Sequence, residues 1–238
     1  MGKVYITGDK HGSLRPFFGL AEKKLIHADD IILITGDASY VWDKDYRLKI
    51  ETIEQLIPGT LAFIDGNHEN FPLLESFPVT RWNGGRVHRI GERILHLMRG
   101  EIYEIGGERY FCFGGARTVS RYVEGVEGTD WWIGEEPSEE EAAYAQQQLY
   151  TRLPEIDYII THEAPLFARS RIGRIKRIDP DYGLPALLEK WYMHVSEHGR
   201  IRQWYFGHMH VDQIISERLR AIHNNFVQAG TEERLYWA

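Results

Sequence analysis

A single cysteine, Cys112, stands in this chain of 238 residues, which rules out any internal disulfide. It sits within the apolar run YFCFGG and reads as a buried core residue rather than a nucleophile. No stretch approaches the ~18 consecutive apolar residues of a membrane span. Positive charge is in deficit: 28 basic against 35 acidic side chains leave a net charge of −7 and a pI near 5.9. That balance argues against a general nucleic-acid coat protein. It leaves room for a phosphorylated substrate, because metals and local arginines reverse the field at a site. The opening residues, MGKVYITGDKHG, enter a strand-like run without the layout of a signal peptide. With one cysteine, the expectation is a cytoplasmic protein. Internal repeats, low-complexity tracts and linkers are absent as well.

What is present suits one large α/β domain. A hydrophobic content of 43% can bury a full core, so residues 1–238 are expected to form a single domain. Seven tryptophans, four of them between Trp131 and Trp204, read as core. The N-terminal part reads strand, helix, strand, helix, strand. The helices fall over roughly 14–27 and 43–57, with Leu14, Phe17, Phe18 and Leu20 turned toward the sheet. This βαβαβ order predicts parallel early strands. From Gly84 to Gly115 short alternating runs (RVHRI, RILHLM, EIYEI, RYFCFGG) predict a second, mainly antiparallel sheet, with a hairpin turn at Gly106-Gly107. Residues 138–151 read as a helix with Ser138 as N-cap and Glu141 closing a capping box. A strand at DYIITH, a loop rich in arginine and proline, a helix from Leu184 to His194 and a strand at Trp204–Gly207 follow. Tail strands are expected near Gln213–Ser216, Ala221–His223 and Leu235–Trp237.

Five apolar runs end in glycine or threonine with a metal-binding side chain at once behind. KVYITG leads to Asp9 and His11, IILITG to Asp37, LAFIDG to Asn67 and His68, YIIT to His162, and WYFG to His208 and His210. Each run has the length and β-branched or aromatic content of a buried strand. In open α/β sheets ligands gather beyond the carboxyl ends of the strands, so these residues should converge on one rim. Singly, each has a plain alternative: an aspartate at a strand end is often a turn former. Together they require five coincidences. Two carboxylates, one amide and several imidazoles, with no thiolate, suit two divalent cations, and two cations side by side suggest phosphate-ester hydrolysis. Mixed carboxylate–imidazole ligation suits manganese, iron or zinc better than calcium or a lone magnesium, and ligand type alone does not choose among them; manganese is the expected ion, with iron, zinc or nickel as alternatives.

The series D-x-H, G-D, G-N-H-E, H and G-H-x-H, from Asp9 to His210, resembles the calcineurin-like metallophosphoesterase superfamily. The resemblance implies a four-layer α/β/β/α sandwich with two mixed β-sheets flanked by helices. It implies one metal held by Asp9, His11, Asp37 and His210, and a second held by Asp37, Asn67, His162 and His208, with Asp37 bridging. His68 would sit over the phosphate. Two cations about 3.5–4 Å apart clamp the phosphoryl oxygens and turn a bridging water into the attacking hydroxide. His68 would donate a hydrogen bond or proton to the leaving group. Asp37 and His68 are thus the expected catalytic residues.

Two blocks, GDKHG and GNHE, are similar to the phosphoprotein-phosphatase branch, but Gly36-Asp37 is followed by Ala38, Ser39, Tyr40, Val41 and Trp42 instead of that branch's D-R-G. Asp65 stands where the branch has an arginine before GNH. Protein-phosphatase activity is therefore not carried over. Arg117, at the exit of YFCFGGA, is the candidate replacement for gripping substrate phosphate, the alternative being a surface arginine at a turn. Arg169, Arg171, Arg174, Lys176 and Arg177 form a basic segment that either steers polyanions or pairs as a solvated loop with Glu135–Glu141. Loops 118–137 and 165–183 are the expected seats of specificity. His27, His88, His96, His194, His198 and His223 carry no motif and read as surface or satisfied core histidines. The expected substrate is a phosphomonoester or phosphodiester of a small phosphorylated metabolite or nucleotide, with nucleic acid ranked lower and no membrane partner. The alternatives are a non-catalytic scaffold on the same fold, or a nuclease, which in this superfamily usually carries further domains.

Overall fold

The computed structural model describes residues 2–118, 125–173 and 181–237. Three strands, β1 (Val4–Thr7), β2 (Ile31–Ile34) and β3 (Thr60–Phe63), pair in parallel, with Thr7, Ile34 and Phe63 side by side at their carboxyl ends. Helices α1 (Arg15–Glu22) and α2 (Tyr46–Leu56) make the crossovers, and a short helix α3 (Phe71–Glu75) follows β3. Strands β4 (Val79–Trp82), β5 (Gly85–Arg89) and β6 (Ile94–Leu97) extend the same sheet through β6. After β7 (Ile102–Ile105) and β8 (Glu108–Phe113) come helix α4 (Glu139–Arg152) and strand β9 (Tyr158–Thr161). Helices α5 (Leu166–Ile172) and α6 (Leu184–His198) precede β10 (Gln203–Phe206), β11 (Gln213–Ser216) and β12 (Leu219–Ala221). Finally β13 (Phe226–Gln228) and β14 (Arg234–Leu235) return to the first sheet. The sheet orders are β14-β13-β1-β2-β3-β6-β5-β4 and β11-β12-β10-β9-β8-β7.

Strand alternation builds the layers. Successive strand side chains point to opposite faces. Thus Tyr5, Ile32 and Ile34 join the core under α1 and α2, whereas Ile6 and Leu33 join the core between the sheets. In the second sheet Ile159, Trp204 and Phe206 face α4–α6, whereas Tyr158, Ile160 and Tyr205 face the first sheet. Three apolar cores between four layers are the α/β/β/α sandwich with two mixed sheets. Helix α6 buries Leu184, Leu188, Trp191 and Val195, an i, i+4, i+7, i+11 stripe. Cys112 lies fully buried between the sheets, and burial pushes its thiol pKa up. Among the described residues, no helix is long and apolar enough to cross a membrane.

Several expectations need correction. The runs from Gly84 to Gly115 do not form one antiparallel sheet: β5 and β6 belong to the first sheet, β7 and β8 to the second, and the second is mixed. Periodicity reports which face of a strand is buried, not which sheet receives it. The hairpin at Gly106-Gly107 is present, with φ of 63° and 83°, the pair of positive values a two-residue primed turn requires. Phe18 is 53% exposed, because α1 buries Phe17 and Leu20 and the next residue is turned about 100° away. Both early helices are shorter than expected, and α6 runs four residues past His194. Ser138 and Glu141 do make the capping box of α4.

A buried ion pair ties the layers together behind the rim. Asp65, just past β3, accepts from Arg99 Nε at 2.9 Å and Nη2 at 2.6 Å. Arg99, between β6 and β7, also reaches Glu141 of α4 at 2.9 Å and the Gly134 carbonyl at 2.8 Å. Burial alone would raise the Asp65 pKa, but the Arg99 charge and the His96 hydrogen bond hold it well below the usual carboxylate range. A depressed carboxylate stabilises the fold above its unfolded pKa of about 3.9 and loses that contribution as pH falls through the folded value. Arg99→Met would strand the Asp65 charge, and urea unfolding at pH 7 is expected to show a loss of about 3–5 kcal/mol. The wild-type advantage over this variant should shrink as pH drops below about 4.

Candidate metal centre

The carboxyl ends of β1, β2, β3, β9 and β10 meet along the seam between the two sheets. In the second sheet Phe113, Thr161 and Phe206 stand level, so His162 and His208 leave their strands at nearly the same height. Backbone bonds lace the exits together. The Asp37 carbonyl accepts from the Lys10 and His11 N–H groups, both at 2.9 Å, and the His162 carbonyl from Gly207 N–H at 3.1 Å. Each carboxylate then commits one oxygen to a backbone donor. Asp9 Oδ1 takes His208 N–H at 3.1 Å, and Asp37 Oδ1 takes His68 N–H at 2.8 Å.

The remaining donor atoms gather in two groups that share Asp37. Asp9, His11, Asp37 and His210 form one, and Asp37, His162 and His208 the other, with ligand atoms in each group within 4.8 Å of one another. His11 Nε2 and His210 Nε2 lie 3.2 Å apart, and His210 Nε2 is 3.0 Å from Asp9 Oδ2. Asn67 Oδ1 adjoins the second group, 3.2 Å from His162 Nε2. Holding these atoms here strains the chain: His11, Asp37, His208 and His210 adopt φ of 46°, 51°, 60° and 51°. Left-handed backbone at non-glycine residues costs of order 1–3 kcal/mol each and persists where its surroundings over-determine it. Gly66 meets the opposite demand, since a Cβ there would overlap the Asp37 carboxylate.

The donor chemistry fits cations. His162 Nδ1 lies 2.7 Å from the Thr35 carbonyl oxygen and so carries a hydrogen. In the neutral ring the Nε2 lone pair would then face two acceptors, Asn67 Oδ1 at 3.2 Å and Asp37 Oδ1 at 3.3 Å. Something positive must stand between them. Asp9 Oδ2 is buried without a hydrogen-bond donor despite its nearness to His210. In the protein alone, burial opposes charge on both members of the Asp37–His162 pair. Their mutual attraction outweighs it, holding Asp37 below the usual carboxylate range and His162 above the usual imidazole range. A bound cation supplies the same charge. His208, largely buried, is driven by desolvation down to about 4 against the pull of Glu163, leaving a neutral imidazole fit to ligate.

The calcineurin-like phosphoesterase family matches residues 2–212. The chain belongs to that family. This phosphoesterase is accordingly a metal-dependent hydrolase, and its clustered carboxylates and imidazoles are candidate ligands for divalent metal ions. A solved structure, TT1561 of Thermus thermophilus, has a similar fold, with a TM-score of 0.52 over 100% of both chains at 11% identity. No curated protein matches the sequence.

Of the other expected site residues, His68 packs edge-on against His11 at 5.1 Å, with its carbonyl held by Ser39 Oγ at 2.6 Å. Arg117 is gripped by Glu136 through Nε at 2.8 Å and Nη2 at 2.7 Å and lies 4.8 Å over the Tyr182 ring. Arg169 departs from both sequence readings. It is buried in α5 and pairs with Glu163 at 2.9 Å, not with the Glu135–Glu141 stretch. Arg171 donates to the Ile215 carbonyl at 3.1 Å. Arg174, Lys176 and Arg177 lie outside the described residues, as do parts of loops 118–137 and 165–183.

Three supporting residues escaped the sequence reading. Glu69, quoted in GNHE without a role, accepts from the Ala38 and Ser39 N–H groups at 2.8 and 3.1 Å and so fixes the loop after Asp37. His223 stacks on His210 at 4.9 Å and 12°, and nothing in its local sequence announces it. Glu163, one residue past His162, collects Arg169 at 2.9 Å and the Tyr182 hydroxyl at 2.6 Å, with His208 Nε2 at 3.6 Å. Carboxylates behind ligating imidazoles fix ring orientation, and their loss costs about 10–100-fold in metal affinity. Glu163→Gln is expected to weaken metal binding by that factor in titration calorimetry. Unchanged affinity would reduce Glu163 to a partner of Arg169.

Proposed function

We propose that this phosphoesterase is a dinuclear enzyme that hydrolyses a phosphomonoester or phosphodiester of a small phosphorylated metabolite or nucleotide, working as a single cytoplasmic domain. The observation that carries the reading is the sharing of Asp37 between two donor groups. Asp9, His11, Asp37 and His210 would hold one cation, and Asp37, Asn67, His162 and His208 the other. Manganese is the first choice, with iron, zinc or nickel as alternatives. When bound, such cations neutralise phosphoryl oxygens and lower the pKa of water so that it attacks phosphorus.

The chain's own groups do the rest. Asp37, with Oδ1 anchored by the His68 N–H, keeps both donor groups in register. His68 stands beside His11 at the mouth of the centre, where its imidazole donates a hydrogen bond or proton to the leaving oxygen. Arg117 would reach substrate phosphate by exchanging Glu136; what supports this is its seat over Tyr182, whose hydroxyl donates to Glu163 beside His208.

Metal-stripped protein is expected to turn over p-nitrophenyl phosphate or bis-p-nitrophenyl phosphate only after manganese is restored, with about two ions bound per chain. Asp37→Ala should abolish turnover and cut metal stoichiometry. His68→Ala should lower kcat by about 10²–10⁴-fold while both ions stay bound. Absence of turnover with manganese, nickel, iron and zinc would sink the proposal. Arg117→Ala is expected to raise KM, and unaltered kcat and KM would remove Arg117 from the substrate site.

A further inference from the structure

A cavity of about 290 Å³ opens beside the candidate metal centre, lined by His11, Gly12, Ser39, Trp42, Lys49 and His68. Its volume lies near the lower bound of about 300 Å³ at which small-ligand sites begin. Two of its walls belong to the centre: His11 is a candidate ligand and His68 the candidate proton donor. A substrate whose phosphorus sits between them has the remaining walls, from Gly12, Ser39, Trp42 and Lys49, along which to lay its organic part. Trp42 is the one aromatic and Lys49 the one cationic side chain among them, and the Ser39 hydroxyl is committed to the His68 carbonyl.

Trp42 is built into place. Its carbonyl accepts from Asn70 Nδ2 at 2.8 Å, and its ring meets Trp132 edge-on at 5.1 Å and 86°. The stretch from Asp37 to Trp42 is clamped along its length by Glu69 on Ala38 and Ser39, and by Ser39 on the His68 carbonyl. The backbone that carries the indole is therefore tied to the His68 loop, and the partly buried ring itself is braced by Trp132. A large apolar ring held at the mouth of a polar centre loses no rotamer freedom when a ligand ring covers it. Lys49 contributes positive charge to the same cavity, paired at 3.1 Å with the half-exposed Asp43. Such exposed pairs contribute little and exchange readily for a stronger anion.

Resting on the phosphoesterase reading above, we infer that this cavity is a ring subsite in which Trp42 stacks against a planar aromatic base, so that the preferred substrates are nucleotides rather than aliphatic sugar phosphates. Stacking of a base on an aromatic side chain is tolerant of base identity. Purine and pyrimidine nucleotides should both be accepted.

The test is a matched pair of ligands that share the phosphate and ribose and differ in the base, adenosine 5′-monophosphate and ribose 5-phosphate. Their Kd values are measured by calorimetry on the manganese-loaded protein, with inhibition constants against p-nitrophenyl ester turnover alongside. Wild type is expected to bind the nucleotide about 5- to 150-fold more tightly. In Trp42→Ala that ratio should collapse toward one, and in Trp42→Phe most of it should remain. Equal affinities in wild type, or a ratio that survives Trp42→Ala, would overturn the inference. The wild-type comparison decides even if a variant fails to fold. Manganese-dependent turnover of the p-nitrophenyl esters with no base preference would remove only the subsite, whereas absence of turnover with every metal would remove the phosphoesterase reading beneath it.

Discussion

Burying carboxylates is the constraint on which the rest of this molecule turns. Asp9 and Asp37 lie almost wholly out of water at the seam of two sheets. A buried charge is costly unless paired and hydrogen-bonded. Each carboxylate is met by a backbone N–H from a neighbouring strand exit, Asp9 by His208 and Asp37 by His68, and by imidazoles that converge from both sheets. The first of those bonds joins one sheet to the other. The positive φ of His11, Asp37, His208 and His210 is the strain accepted to bring the donors together.

The frame around the seam repeats the same device with fixed cations. Asp65 with Arg99, and Glu163 with Arg169, are buried pairs close behind the rim, one on each sheet's side. Asp65 occupies the position before Gly66-Asn67-His68; Arg99 takes its Oδ2 and His96 its Oδ1, and Arg99 draws in α4 through Glu141. Glu163 joins α5, Tyr182 and His208 in one network. These pairs hold the loops that carry the candidate ligands, and the cavity beside the centre is walled by the Trp42 loop. The candidate metal ligands thus sit at strand exits, and the cavity beside them is walled by the loops laid over those exits.

Much of this was legible in the chain. The five strand exits, the βαβαβ start, the α4 capping box and the Gly106-Gly107 turn rest on local signals, where period, cap and turn chemistry speak directly. What the sequence obscured was mostly non-local. Strand alternation could not assign β5 and β6 to one sheet and β7 and β8 to the other. The basic segment looked solvated, yet Arg169 folds inward because Glu163 needs a counter-charge. Phe18 looked like core because a run of apolar residues hides which of them the helical turn exposes.

By itself, the sequence determined the order and type of the candidate ligands and the strands that deliver them, because both are written in runs of a few neighbouring residues. Only the tertiary structure decided which donors share a centre, which arginines are consumed in the frame, and that His223 lies on His210. Those facts depend on pairings between residues up to about two hundred positions apart. No local pattern encodes such a pairing until two sheets close on a common core and bring their strand ends level.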